Sequence, residues 1–233
     1  MAELTREGAS CDRCGSTVRA RAVVHHVSQA LFGKSLALPD FPKRPDVRGV
    51  GMSDWVGYAQ PLAERLNYTN TFYHQEPFLD ITAVPDDMAG TCDFMISTEV
   101  FEHVCPPVSR AFEGARRLLK PGGTLVLTVP YMLEDETREH YPHLHKFEIV
   151  SKGEDTWLLI NTRTDGEVEQ FDNLVFHGGP GTTLEMRLFA KTALQHELQR
   201  AGFTRVHFAD EAVPEFGIHW LHPWSLPIVA RVA

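Results

Sequence analysis

Glu99, Glu102 and His103 lie within five positions of one another in the stretch STEVFEHV. Their spacing is i, i+3 and i+4, which puts all three side chains on one face if the chain takes a helical turn there. Two carboxylates and an imidazole on one face can hold a divalent cation. Without a cation, His103 or another nearby histidine can serve as general base toward a hydroxyl. Val100, Phe101 and Val104 fill the intervening positions and can anchor the turn against a core. More histidines follow in EHYPHLHKFE, which carries His140, His143 and His145. Mixed carboxylate and imidazole ligands without thiolate suit Mg2+, Mn2+, Fe2+ or Zn2+.

The elements around this stretch alternate between apolar strands and amphipathic helices. CDFMISTEV (92–100) reads as a strand and PPVSRAFEGARRLLK (106–120) as a helix, with Val108, Phe112, Ala115 and Leu119 on one stripe. PGG (121–123) stops that helix before the strand TLVLTVP (124–130). Upstream, residues 17–32 read as a helix, KSLAL (34–38) and VRGVGMS (47–53) as two strands, 55–66 as a helix interrupted at Pro61, and 70–76 as a short strand. Residues 131–187 break the alternation and contain a hairpin signal at Asp165-Gly166. A helix over 189–203 and two strands, TRVHFADE and SLPIVARVA, complete the chain. This order predicts a three-layer α/β fold with a mostly parallel sheet, in which ligands sit beyond the carboxyl ends of the strands. Residues 1–33 form a cysteine-containing turn and helix ahead of the main domain, 34–233, whose insertion spans about 131–187.

Composition sets the outer bounds. The 233 residues are 43% hydrophobic and 23% charged, enough for one well-buried core. The net charge of −9 argues against a broad grip on nucleic acid. No apolar run is long enough to span a bilayer, and the N-terminus has no apolar signal core, so the expectation is a cytoplasmic protein acting on a small molecule. Four cysteines are too few for a disulfide framework. Cys11 and Cys14 have the spacing of half a structural zinc site. His25 or His26 from the following helix, or the same pair from a second subunit in a homodimer, would have to complete it. An unligated surface dithiol is the simpler reading.

The block CDFMISTEVFEHVCPPVSRAFEGARRLLKPGGTLVLTVPY (92–131) resembles the class I S-adenosylmethionine-dependent methyltransferases. In that family a strand ends in an acidic or polar turn, a helix follows, and LKPGG leads into the next strand. The resemblance implies a Rossmann-like α/β fold, with a seven-stranded, mostly parallel sheet, helices on both faces and an antiparallel last strand. It also implies S-adenosylmethionine as cofactor. By position, Asp54 resembles the family's ribose-binding acid, and Asp80 and Ile81 resemble the residues that flank adenine; a helix cap and a turn residue are the competing roles for Asp54 and Asp80. Glu99 falls where the family places a cofactor contact. One departure stands out. The glycine-rich loop expected after the first strand is missing from LALPDFPKRPD, and the GVG at 49–51 falls inside the second expected strand. A ligand-binding or metal-dependent protein that does not methylate is therefore a rival reading.

Two groups within the family are closer at the opening motif: ubiquinone-pathway O-methyltransferases and enzymes that methylate the 2′-hydroxyl at small-RNA 3′ ends. Both resemble this chain at Glu99, Glu102 and His103, and the RNA group also has a segment like His145-Lys146-Phe147-Glu148. That resemblance implies a metal set of Glu99, Glu102, His103 and His145, with His103 and His145 at the reacting hydroxyl. The implied reaction is O-methylation of a small polar or natural-product substrate such as a sugar or diol. The acidic charge disfavours RNA. Tyr131, His143, His177 and Arg187 are the candidates on the substrate side, the last two flanking HGGPG, whose glycines permit close backbone approach.

Overall fold

The computed structural model describes residues 5–153, 155–179, 181 and 183–233. Its main sheet has six strands: β1 (Arg44–Met52), β2 (Leu66–Thr71), β3 (Cys92–Thr98), β4 (Leu119–Thr128), β9 (Phe203–Phe208) and β10 (Ile228–Val232). They run in the order β9-β10-β4-β3-β1-β2. All contacts among β1 to β4 are parallel, and β10 is antiparallel to both its neighbours. The Rossmann-like expectation holds, with the last strand antiparallel, but the sheet has six strands where seven were expected.

Four helices cover the sheet: α1 (Val18–Phe32), α2 (Val56–Arg65), α3 (Ser109–Leu118) and α4 (Lys191–Arg200). Helix α1 begins at Thr17, whose hydroxyl accepts the Ala20 N–H, and ends at Gly33 in the left-handed conformation (φ 67°). Its Val23 and Val27 pack with Tyr58 and Leu62 of α2 against Phe94, Ile96 and Val126 of the sheet. On the other face, Phe112, Ala115 and Leu118 of α3 and Leu194 and Leu198 of α4 pack against Met95, Leu125 and Leu127. Alternate strand residues thus feed two separate cores, as the two-residue period of a strand requires.

The assignment of the first strands changes. KSLAL is a loop leading into a short turn at Leu38–Asp40, and Leu36 and Leu38 pack onto the α1–α2 core without joining the sheet. The segment read as the second strand is therefore β1, and Gly49 and Gly51 lie within it, ahead of the loop after the first strand where the family carries its glycines. Gly51 is obligatory for a steric reason: a Cβ there would lie 1.8 Å from the Tyr68 hydroxyl and 2.0 Å from Asp54 Oδ2. The short strand expected at 70–76 also moves, to Leu66–Thr71, which leaves 72–76 as a loop at its carboxyl end. Helix α2 contains Pro61 without a break between segments.

The insertion forms a three-stranded antiparallel sheet of β5 (Lys146–Gly153), β6 (Thr156–Thr162) and β7 (Val168–Phe171), with the expected turn at Asp165-Gly166 between the last two. A short strand, β8 (Arg187–Ala190), returns the chain to α4. A small apolar cluster of Tyr141, Leu159, Leu184 and Met186 fixes this insertion beside the carboxyl edge of the main sheet.

Candidate active site

Register aligns the carboxyl ends of the central strands: Met52 pairs with Ser97, and Thr98 with Thr128. The chain turns sharply there. Ser53 and Glu99 both take left-handed backbone (φ 55° and 54°), and their N–H groups donate to Thr71 and Thr128 carbonyls at 2.7 and 2.8 Å. Such conformations cost roughly 1–3 kcal/mol each and concentrate at functional sites. They border a cleft of about 860 Å³ lined from the main sheet by Met52, Ser53 and Glu99, and from the insertion by Phe147 and His177. Its position beside β1, where the strand order reverses, is the ligand-binding crevice of an open α/β sheet.

Within this cleft the opening motif is divided. Phe101–His103 forms a single 3-10 turn, and Glu99, in left-handed backbone ahead of it, is not in the cluster that the other two groups form with His177. Glu99 Oε1 accepts from Arg6 Nη2 at 2.6 Å. Burial opposes its charge, but the Arg6 guanidinium outweighs burial and holds Glu99 below the usual glutamate range. Glu102 is fully buried, and neither of its oxygens has a hydrogen-bond partner among the described residues. Burial, reinforced by Glu99, pushes its pKa well up.

Two imidazoles face Glu102: His103 Nε2 lies 3.6 Å and His177 Nδ1 3.8 Å from its Oε1. The His103 tautomer follows from its other contact. His103 Nδ1 donates to the Leu184 carbonyl at 2.9 Å, which leaves the Nε2 lone pair toward Glu102. His177 Nε2 is paired with Glu185 Oε2 at 3.0 Å, and its Nδ1 lies on the side of Glu102. Glu185 is itself bound by His140 Nε2 at 2.8 Å. The His103 lone pair and the carboxylate it faces need a proton or a cation between them. Glu102, His103 and His177 each offer one ligand atom, all within 4.8 Å of one another, so this donor set fits a divalent cation.

One short segment builds the set. Phe176 and His177 pair with Leu184 and Thr183 in a small antiparallel ribbon whose turn includes Gly178 and Gly179, both at positive φ. The following residues clamp the 3-10 turn. Met186 N–H donates to the Glu102 carbonyl at 2.8 Å, and Arg187 Nη1 donates to the carbonyls of Phe101 (3.1 Å) and Val104 (2.6 Å). Arg187 is fully buried and also paired with Glu139 at 2.8 Å. It is thus a brace behind the turn, not a substrate contact.

Other expected residues divide similarly. Asp80 and Ile81 line the cleft, Asp80 closing a tight turn by accepting from the Thr82 N–H at 2.8 Å. Ile81 is held by α3, where a Cβ on Gly114 would lie 1.8 Å from the Ile81 carbonyl. Asp54 is buried and turned inward, accepting from the Tyr58 hydroxyl at 2.7 Å and from the Tyr68 hydroxyl. It neither faces the cleft nor caps α2 with its side chain. Burial, against those hydrogen bonds, raises its pKa to about 7. The loop after β2 instead contributes Tyr73, His74 and Gln75 to the cleft. Tyr131 is buried with its N–H on Ser225 Oγ at 3.0 Å.

His145 and His143 are exposed on the insertion and lie outside the ligand cluster. Asn161 anchors their backbone, accepting the His145 N–H and donating to the His143 carbonyl, each at 2.8 Å. The histidine that the structure places in the candidate cluster with Glu102 and His103 is His177, and His145 lies outside it. Arg6, Glu185 and the partnership of His177 with Glu102 went unrecognised in the sequence. The glycines after His177 mark the turn that delivers it, whereas nothing local marks Arg6. Cys11 and Cys14 gain no histidine or carboxylate ligand among the described residues, and His25 instead bonds Ser35 Oγ at 2.7 Å. The N–H groups of Cys14 and Arg13 lower the Cys11 thiol to about 7.

Comparison with known proteins gives this cleft a family. The sequence profile of the methyltransferase domain matches residues 42–207, beginning just before β1. No curated protein matches in sequence. Among solved structures, the S-adenosylmethionine-bound amino pentose methyltransferase CalS10 of Micromonospora echinaspora is 14% identical, with a TM-score of 0.50 over 94% of this chain and 93% of that one. The 1,6-didemethyltoxoflavin-N1-methyltransferase of Burkholderia thailandensis is also 14% identical with a TM-score of 0.50, over 91% and 78%. At this identity the structural likeness speaks for the fold, and the profile match speaks for the family. A Rossmann-like sheet with its crevice at the strand reversal, matched across most of its length, makes this chain a member of the class I S-adenosylmethionine-dependent methyltransferases.

Proposed function

We propose that the protein is a metal-assisted O-methyltransferase that acts on a small polar substrate carrying neighbouring hydroxyls, such as a sugar or diol. The observation that carries this reading is Glu102, a fully buried carboxyl group without a hydrogen bond among the described residues, which shares a metal-sized cluster with ring nitrogens of His103 and His177. A divalent cation there would lower the pKa of a coordinated hydroxyl and orient a vicinal diol. The chain's own residues supply the rest. Leu184 fixes the His103 tautomer, Glu185 pairs with His177, and Arg187 holds the turn from which Glu102 and His103 project. Asp80, Ile81 and the loop after β2 form the cofactor side of the cleft. Phe147 and Ile149 of β5 form the opposite wall, which screens the reacting atoms from water and leaves room for a ring-sized acceptor. CalS10, a protein of similar fold, is described as acting on an amino pentose, a substrate of this size class.

Elemental analysis and titration with Mn2+ test this reading, with Glu102→Ala and His177→Ala as comparisons. One ion per chain, lost in both variants, is the expected result. An unchanged metal content in the variants would overturn it. A metal-free route is favoured by one observation alone, that burial keeps His103 neutral and so able to accept a proton. Full activity in chelator combined with loss in His103→Ala would select that route.

A further inference from the structure

The carboxylate that the metal set leaves out is held by a cation from the chain itself. Arg6 reaches Glu99 from the segment ahead of α1, which lies outside the residues matched by the methyltransferase profile. The arm is latched in place. Glu7 accepts two hydrogen bonds from Arg19 Nε and Nη2, at 2.8 and 2.7 Å, and the Arg19 N–H donates to the Arg6 carbonyl at 3.2 Å. The Arg6 side chain is only 20% exposed, and its Nε has no partner although it is buried. A guanidinium is thus carried to the rim of a cleft that also exposes Glu99, His103 and His177.

We propose that Arg6 is a built-in competitor for the cation site and so controls which ligands a metal finds. While the arm is docked, Glu99 is committed to Arg6 and the available ligands are Glu102, His103 and His177. When the arm lets go, Glu99, three residues before Glu102 and lining the same cleft as His103 and His177, becomes the fourth ligand. Coulomb attraction decides the competition. A monovalent guanidinium bound to Glu99 through one charge-assisted hydrogen bond opposes a divalent ion, and the arm wins only while its Glu7–Arg19 latch keeps Arg6 close by. Any ligand or partner that pulls the arm away would therefore tighten metal binding without touching the site. This inference rests on the metal reading above.

Calorimetric titration of the full chain with Mn2+ alone separates the two ideas. The wild type, Arg6→Ala, Arg6→Lys, Glu99→Gln and the double variant Arg6→Ala/Glu99→Gln are compared. The expected result is tighter binding by Arg6→Ala, by roughly 10- to 100-fold, the scale on which metal sites respond to a single partner. Arg6→Lys should stay near the wild type, Glu99→Gln should leave wild-type affinity nearly unchanged, and the double variant should lose the gain. Equal or weaker binding by Arg6→Ala would overturn the competition while leaving the metal site intact. Absence of binding in every form would overturn the metal reading and this inference together.

Discussion

Glu102 defines the residue scale, because a carboxyl group this deeply buried without a partner costs several kcal/mol unless something neutralises it. Replacing it by Gln keeps the shape and removes the charge that a cation needs. Glu102→Gln is therefore expected to lose Mn2+ affinity by about 100-fold or more, measured by titration, while His145→Ala leaves affinity unchanged. Loss in His145→Ala would restore the ligand set implied by the sequence resemblance. Asp54 carries a pH prediction of a different kind. Its pKa, raised to about 7, means that the folded state keeps a proton which the unfolded chain gives up near pH 4. Stability from this group is complete below pH 4 and falls as pH rises toward 7. In Asp54→Asn, chemical denaturation should show a shallower decline across that window. The sequence revealed Glu102 and His103 because both sit on one short turn. It could not choose between His145 and His177, since that choice depends on where a glycine turn some seventy residues later delivers its histidine.

At the scale of elements, two packing contacts hold the cleft in shape. Gly114 lets α3 lie directly on the Ile81 carbonyl, so Gly114→Ala must push the Asp80–Ile81 wall aside. Overpacking of this kind costs about 1–3 kcal/mol, and S-adenosylmethionine affinity measured by calorimetry should fall with it. Unchanged affinity would show that this wall does not contact the cofactor. Arg187 braces the other side. Removing one partner of a buried ion pair costs about 3–5 kcal/mol, so Arg187→Ala should be strongly destabilised in urea and should also lose Mn2+ affinity through the loosened turn. Helices α1, α3 and α4 and the apolar half of β4 were legible from periodicity, but PGG lies inside β4 and does not separate it from α3, which already ends at Leu118. KSLAL was not, because its leucines are buried against helices in an irregular loop, which alternation alone cannot distinguish from a strand. That one shift displaced β1.

The whole molecule places a general cofactor fold beneath two less general additions. The six-stranded sheet supplies the crevice, the insertion supplies His177 and the wall at Phe147, and the arm before α1 supplies Arg6. The fold class and the crevice edge were legible in the sequence, because strand and helix order is written locally. The assembly of the site was not, since three chain segments far apart in sequence meet there. Among the described residues, no helix is long and apolar enough to cross a membrane. The most direct test of the central claim is a crystal grown with S-adenosylhomocysteine and Mn2+, with anomalous scattering recorded for the metal. The expected result is one anomalous peak within bonding distance of Glu102, His103 Nε2 and His177 Nδ1, at the edge of the cofactor cleft. A cofactor-filled cleft with no peak there, or a peak held by His145 instead, would contradict the account.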